Sequence, residues 1–395
     1  MDELKSLVLL GRQPALGLAE LESLYGNDTV VALGAQAAAL TIETEKIAFE
    51  RLGGSVKLGN ILGRLDTVNW GDIERYIVKH VAPEAASLPE GKIQIGISVY
   101  GFSESALRIQ ATGLSLKKAI KKAGRSVRLT PNQEPALSSA QVQHNHLTGP
   151  TGWELMIVRD NEQTFIARTT VIQDIASYTI RDRDRPKRDA RVGMLPPKLA
   201  QILINLAAGQ LDPAGKTVLD PFCGTGVVLQ EAELMGFGVY GTDLEPRMID
   251  YTAHNLEWFG ERYEHPSPAV LEIGDATRHQ WQSPIDIVAC ETFLGKPFAS
   301  TPSPAMVATT ASDCNVIIKK FLRNIHGQLQ PGTRLCVAVP AWQIRKNEFK
   351  HLPLVDSLEE LGYNQVRFEH VESNALLYYR EDQVVARELL VIKRN

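Results

Sequence analysis

The chain has 395 residues, 44% apolar and 22% charged, which suits a soluble globular protein of two or three domains. No apolar run reaches the roughly eighteen residues that a membrane span needs, and the formal net charge of −4, taken as a total, argues against a nucleic-acid binder. Four scattered cysteines (Cys223, Cys290, Cys314, Cys336) with no C-x-x-C pair argue against a zinc site or disulfide framework and fit a reducing cytoplasm.

The opening "MDELKSLVLLGRQPALG" has too short an apolar run and too acidic a start for a signal peptide. Residues 1–70 read as a small α+β unit: "SLVLLG" as a strand, "PALGLAELESLYG" as a helix stopped by Gly, and one further strand in "VVALGAQAAALTIET". Residues 71–172 form a second unit. Strand "KIQIGISVYG" precedes the basic amphipathic helix "SALRIQATGLSLKKAIKKAG", the short strand "SVRLTPN", helix "SSAQVQHNHL" and the hairpin "WELMIVRDNEQTFIARTTVIQ". Charge is unevenly spread here. Residues 101–130 hold seven basic side chains (Arg108, Lys117, Lys118, Lys121, Lys122, Arg125, Arg128) against one acid, Glu104. Such a patch is either a phosphate-binding face or a solvated helix face.

Residues 173–196 are dense in charge and Pro and read as a linker, with a second basic cluster "RDRDRPKRDAR" at 181–191. From 197 to 395 strands and helices alternate regularly, which calls for a doubly wound, mostly parallel sheet. A helix is expected near 354–361, with strands at "QVRFEHVE" and "ELLVIKR". No helix is evident between those two strands, so the sheet should finish antiparallel.

The strongest chemistry lies in "VLDPFCGTGVVLQEAELMGFGVYGTDLEP". A strand ends at Asp220, and Gly224 and Gly226 turn the backbone into a helix N-terminus. Asp243 ends the next strand, where an acid can accept both hydroxyls of a ribose, and Asp275 in "EIGDAT" ends the one after. The loop is neither a P-loop nor a dinucleotide fingerprint. Close backbone approach beside Asp220 suits a bulky cationic ligand, and S-adenosylmethionine fits, with Phe222, Leu244 and Ala276 flanking the site. A turn-and-cap reading covers any one of these features, but not three acids at successive strand ends.

At this point the chain resembles a known family. "RDRDRPKRDARVGMLPPKLAQILINLA", "LDPFCGTG", "ETFLG" and "YYREDQVVARELLVIKR" are similar to the THUMP-domain tRNA guanosine-N2 methyltransferases that modify guanosine 10, within the class I S-adenosylmethionine-dependent methyltransferases. "GRSVRLTPNQEPALSSAQVQHNHL" resembles the later part of a THUMP domain. The resemblance implies an α/β fold: a Rossmann-like domain with a mostly parallel seven-stranded sheet at 197–395. An α+β ferredoxin-like region (1–70) and a THUMP-like RNA-binding region (71–172) would precede it. It further implies tRNA as partner, a monomer or a complex with an activating small subunit, and no metal.

The stretch "IDIVACETFLGKPF" raises the catalytic question. A guanine amine is a poor nucleophile, so acceptors must engage its hydrogens while an aromatic face fixes the base. The family places Asp or Asn, two prolines and an aromatic there; this chain has Glu291, Thr292, Phe293 and Leu294. Glu291, the Thr292 carbonyl and Phe293 are the expected catalytic set. Cys290 invites a thiolate mechanism but reads as packing. For RNA the candidates are Lys117, Lys118, Lys121, Lys122, Arg125, Arg128 and Arg185, with Tyr178, Tyr379 and Arg380 beside them; Arg185 and Pro186 are open to either of two roles, clamping the RNA backbone or closing over the cofactor. A tRNA-binding protein with a degenerate or partner-dependent domain, and an amino methyltransferase acting on another RNA or DNA base, are the competing readings.

Overall fold

The computed structural model describes residues 3–189, 194–264, 269–282, 284–295, 302–345, 348–380 and 383–395. Two expectations fall outside them: Arg191 of the basic cluster, and residues 296–298 after "ETFLG". The chain divides into two compact units. One comprises Met1–Pro14, Asp28–Glu50 and Ser55–Ile175; the other comprises Ala15–Asn27, Arg51–Gly54 and Ala176–Asn395.

The first unit is built on one sheet of β1 (Ser6–Leu10), β2 (Val30–Leu33), β3 (Ala37–Leu40), β4 (Ser55–Leu65), β5 (Ile93–Tyr100), β6 (Val127–Leu129), β7 (Gly152–Asp160) and β8 (Gln163–Ile172). Their order is β2-β3-β1-β4-β8-β7-β5-β6, so strands from 1–70 and from 71–172 share a sheet through the antiparallel β4–β8 pair. The single strand expected at 30–44 is a hairpin, β2–β3. β4 is not among the expected elements, and Gly59 and Gly63 interrupt its sequence. Here they are places of close approach: a Cβ on Gly59 would lie 2.3 Å from the Arg168 carbonyl oxygen, and one on Gly63 2.1 Å from the Tyr76 hydroxyl. Buried Lys57 and Glu154 are ion-paired at the sheet's middle, and Ser98 and Thr169 donate to the same carboxylate.

The second unit carries β9 (Thr217–Asp220), β10 (Gly238–Asp243), β11 (Val270–Ile273), β12 (Ile287–Glu291), β13 (Arg334–Arg345), β14 (Glu348–Lys350), β15 (Tyr363–Gln365), β16 (Leu377–Tyr378) and β17 (Val385–Arg394). The main path is β11-β10-β9-β12-β13-β17-β15; β14 pairs with β13 and β16 with β17. The first five strands on this path run parallel, and β17 inserts antiparallel to β13 and β15, the finish expected from the missing helix. The order reverses between β9 and β12, and the carboxyl ends at such a point form a ligand crevice. Helix Pro304–His326 buries Val307, Ala311, Cys314, Ile318, Phe321, Leu322 and Ile325 against the sheet at three- and four-residue spacing.

Three expectations change. The first part of the linker is helix Ile175–Arg183. The helix near 354–361 is two 3-10 turns, Pro353–Ser357 and Glu359–Leu361. The strand at "QVRFEHVE" stops at Gln365, because the chain turns so that the N–H groups of Glu369 and His370 donate to Glu22 at 2.8 and 2.9 Å.

Gly59→Val should place side-chain carbons too close to the Arg168 backbone and destabilise the first unit by about 1–3 kcal/mol, the usual range for overpacking. Urea unfolding measures it, and an unchanged midpoint would contradict the close-approach reading.

Candidate active site

β9 and β10 end side by side, and the loop between β9 and helix Val227–Leu234 is shaped by its glycines. Gly224 and Gly226 have φ of 53° and 83°, a region that side chains disfavour. A Cβ on Gly226 would also meet Thr252 at 2.9 Å. Asp243 fastens the loop: its carboxylate accepts from Gly224 N and Glu245 N, both at 2.9 Å. Thr252 donates to the Gly224 carbonyl at 2.8 Å.

Asp220 is 2% exposed and accepts from Phe222 N at 3.0 Å. Burial pushes its carboxyl well above the usual range, and the nearby charges of Asp243 and Glu291 add to that. Burial also raises Asp243. Asp275 differs: the Thr277 hydroxyl and amide, at 2.7 and 3.0 Å, hold its carboxyl below the usual value. The structure thus brings Asp220, Gly224, Gly226 and Asp243 together. Leu244, beside them, exposes 63% of its surface, an apolar face at the strand tip. Phe222 meets Phe321 edge-to-face at 5.1 Å, and buried Ala276 offers its carbonyl to Asn324 at 3.0 Å.

β12 delivers Glu291 at the reversal point. Its Oε1 accepts from Nε of Arg387 on β17, across the intervening β13. The two side chains are 16% and 9% exposed. Burial raises the Glu291 carboxyl, and the Arg387 guanidinium opposes the rise. Thr292 is 3% exposed; its N–H and hydroxyl both donate to the Ala338 carbonyl, at 3.0 and 2.9 Å. Its side chain is a strut, so only its backbone is left for the expected role. Phe293 is 38% exposed and free to present a ring. Gly295 has φ 90°, with Thr310 Cγ2 2.4 Å from where a Cβ would sit. The Arg387 pair, the Thr292 anchor and the Gly295 turn restrain a loop that lacks the family's prolines. Cys290 is fully buried with its thiol pushed well up by burial, a packing group and not a nucleophile.

Two RNA candidates are engaged within the protein. Arg125 donates to the carbonyls of Ala86, Leu88 and Pro89 at 2.5, 2.6 and 2.6 Å, so its guanidinium is consumed in bracing a loop. Arg185 is 3% exposed and reaches Thr225 Oγ1 at 3.2 Å, in the glycine loop. Lys118, Lys121 and Lys122 are exposed on helix Ala106–Lys122, Arg128 is exposed on β6, and Lys117 is half-buried. Tyr178 donates to Gln201 at 2.5 Å under the Arg181 and Lys198 cations, and Tyr379 packs on Phe349, so both are packing residues.

Sequence reasoning missed Arg387 and Asn255. Arg387 stands beside Glu388 in the otherwise apolar stretch Val385–Ile392 of β17, with nothing to mark it as the partner of Glu291. Asn255 looks like any polar residue in helix Pro246–Tyr263. Yet it is fully buried, holds Lys187 N at 2.9 Å, and donates to the carbonyls of Lys187 and Thr225 at 3.0 and 2.8 Å. It ties the linker to the glycine loop.

Arg387→Met should cost about 3–5 kcal/mol, because it strands a buried carboxylate, while Arg387→Met with Glu291→Leu should recover much of the loss. Equal losses in the single and double variants, measured by chemical unfolding, would show that the pair is not coupled.

Comparison with known proteins follows the same lines. Residues 212–384 match the family model described as a methyltransferase domain. A tRNA (guanine(10)-N2)-dimethyltransferase of Pyrococcus abyssi is 30% identical over 190 residues, 47% of this chain and 48% of that protein. One of the same name from Methanothermobacter thermautotrophicus is 32% identical over 149 residues, 38% of this chain and 39% of that protein. The chain thus spans half or less of the length of these curated relatives. Among solved structures, TrmN from Thermus thermophilus superposes with a TM-score of 0.52 at 17% identity, covering 99% of this chain and all of that one, a likeness of fold. Residues 212–384 thus match a methyltransferase domain by family model, on a sheet whose order fits that fold, and such domains take their methyl group from S-adenosylmethionine.

Proposed function

We propose that the protein is a tRNA methyltransferase acting on the exocyclic N2 of a guanosine, guanosine 10 by its similarity to the archaeal relatives. The observation that carries this reading is Glu291, held by Arg387 at the carboxyl end of β12 beside Asp220.

The residues fit the cofactor. Asp220, Asp243 and Glu291 crowd negative charge into a buried space, which a cationic ligand would relieve. Asp220 and the glycine loop would hold its amino-acid portion, Asp243 its ribose hydroxyls, and Leu244 with Asp275 its adenine. When bound it supplies an activated methyl group on a sulfonium centre.

The chain's own part is to hold the amine. Arg387 occupies Oε1 of Glu291 and favours the ionised carboxylate against the pull of burial; Oε2 has no partner among the described residues and is left to accept an N–H of the substrate. The Thr292 carbonyl, fixed by the two bonds to Ala338, takes the second N–H. Engaging both hydrogens frees the nitrogen lone pair for in-line attack, and Phe293 offers a face for the extruded base. Lys118, Lys121, Lys122 and Arg128, with Lys117 at the edge of the patch, would meet phosphates of the tRNA in a THUMP-like first unit. The setting would be the cytoplasm, with the protein alone or joined to a small subunit.

Incubation with methyl-labelled cofactor and bulk tRNA, followed by nucleoside mass spectrometry, should yield N2-methylguanosine or its dimethyl form; neither appearing would sink the reading. Glu291→Gln should lower turnover by about a hundredfold or more while cofactor affinity holds. Activity should fall as pH drops through the Glu291 pKa. In Arg387→Lys, where the carboxylate is less well paired, the fall should begin at higher pH. Replacing Lys118, Lys121, Lys122 and Arg128 with Gln should weaken tRNA binding and flatten its salt dependence by up to about 0.9 in slope for each phosphate no longer neutralised. Unchanged affinity would remove the patch from the interface.

A further inference from the structure

Arg185 is a buried cation that forms no ion pair among the described residues. It is 3% exposed, yet its described partners are only the Thr225 hydroxyl at 3.2 Å and the Met194 sulfur at 3.7 Å. Its Nε is buried without any hydrogen-bond partner among the described residues. The acids that act on it electrostatically are Asp182 and Glu231, and neither forms an ion pair with it. Glu231 is held by Arg181 at 2.7 Å. Residues 190–193, which follow in the linker, contain no acid. A buried guanidinium without an anion costs several kcal/mol and persists only where something offsets it.

Its position is specific. Asn255 joins the linker backbone at Lys187 to the Thr225 carbonyl, Arg181 is locked to Glu231 of helix Val227–Leu234, and Asp189 pairs with Arg247 at 2.9 Å. The linker is therefore fastened on both sides of Arg185, and the guanidinium is set against Thr225, between Gly224 and Gly226. The acids around the glycine loop suit the cationic groups of an amino-acid ligand but leave its carboxylate without a counter-charge.

We infer that Arg185 is the counter-ion for the α-carboxylate of the cofactor's methionine portion, making the linker part of the cofactor site rather than of the RNA-binding face. The inference rests on the cofactor reading above. Thr225 braces the guanidinium, and Arg supplies paired donors that match a carboxylate where Lys offers a single point charge.

Calorimetric titration with S-adenosylmethionine and with its decarboxylated analogue separates the possibilities. Wild type should prefer the intact cofactor. Arg185→Met should weaken the intact cofactor on the order of tenfold or more and leave the analogue within about twofold, which removes the preference; Arg185→Lys should keep part of it. A thermal melt checks that each variant folds. Equal weakening of both ligands would overturn the inference in favour of a structural brace, and unchanged binding of both would overturn it outright. Loss of tRNA affinity with cofactor binding intact would return Arg185 to the RNA. If wild type bound neither ligand, the cofactor reading itself would fall and this inference with it.

Discussion

Everything in the second unit turns on crowding three carboxylates where the sheet order reverses. Asp220, Asp243 and Glu291 end β9, β10 and β12, and burial raises all three. Such a cluster is costly unless each charge finds a different answer. Asp243 is answered by backbone N–H groups of the loop it shapes. Glu291 is answered by Arg387. Asp220 has one amide donor and no cation among the described residues, so it is the acid whose charge a cationic ligand would settle. A cationic ligand would couple binding to local stability through that carboxylate.

The same logic explains how the loop after β12 is restrained without prolines. Proline rigidifies by removing backbone freedom in every state of the chain. Here the restraint comes from interactions made only when folded: Arg387 to Glu291, Thr292 to Ala338, and Gly295 against Thr310. Glu is one methylene longer than Asp, and the longer arm lets the carboxylate reach across β13 to the cation on β17. The substitution and its partner belong together: an Asp here would leave a buried guanidinium short of its anion.

Much of this was legible in the sequence. The strand–helix alternation beyond residue 197, the antiparallel finish and the glycine loop follow from period and turn chemistry, which are local properties. What was not legible is pairing at a distance. β4 was hidden because its glycines serve a neighbouring strand and helix that sequence does not place. The strand after Tyr363 was overextended because its end is set by Glu22, more than three hundred residues earlier in the chain. Arg387 and Glu291 are 96 residues apart, and nothing in either neighbourhood announces the other.

Charge counting misled in one consistent way. Arg125, Arg181 and Arg185 belong to stretches dense in charge and Arg387 to a largely apolar strand, and each one is turned inward. Arg125 caps carbonyls, Arg181 and Arg387 neutralise buried acids, and Arg185 stands beside the glycine loop. The exposed lysines on helix Ala106–Lys122 behave differently, because the helix already buries Ile109, Leu116 and Ile120 and needs nothing from them. Arginine's planar fork suits it to internal carbonyls and carboxylates, while lysine's hydrated ammonium favours solvent. Arg181, Arg185 and Arg387 are thus turned inward in the second unit, while Lys118, Lys121 and Lys122 stay exposed in the first.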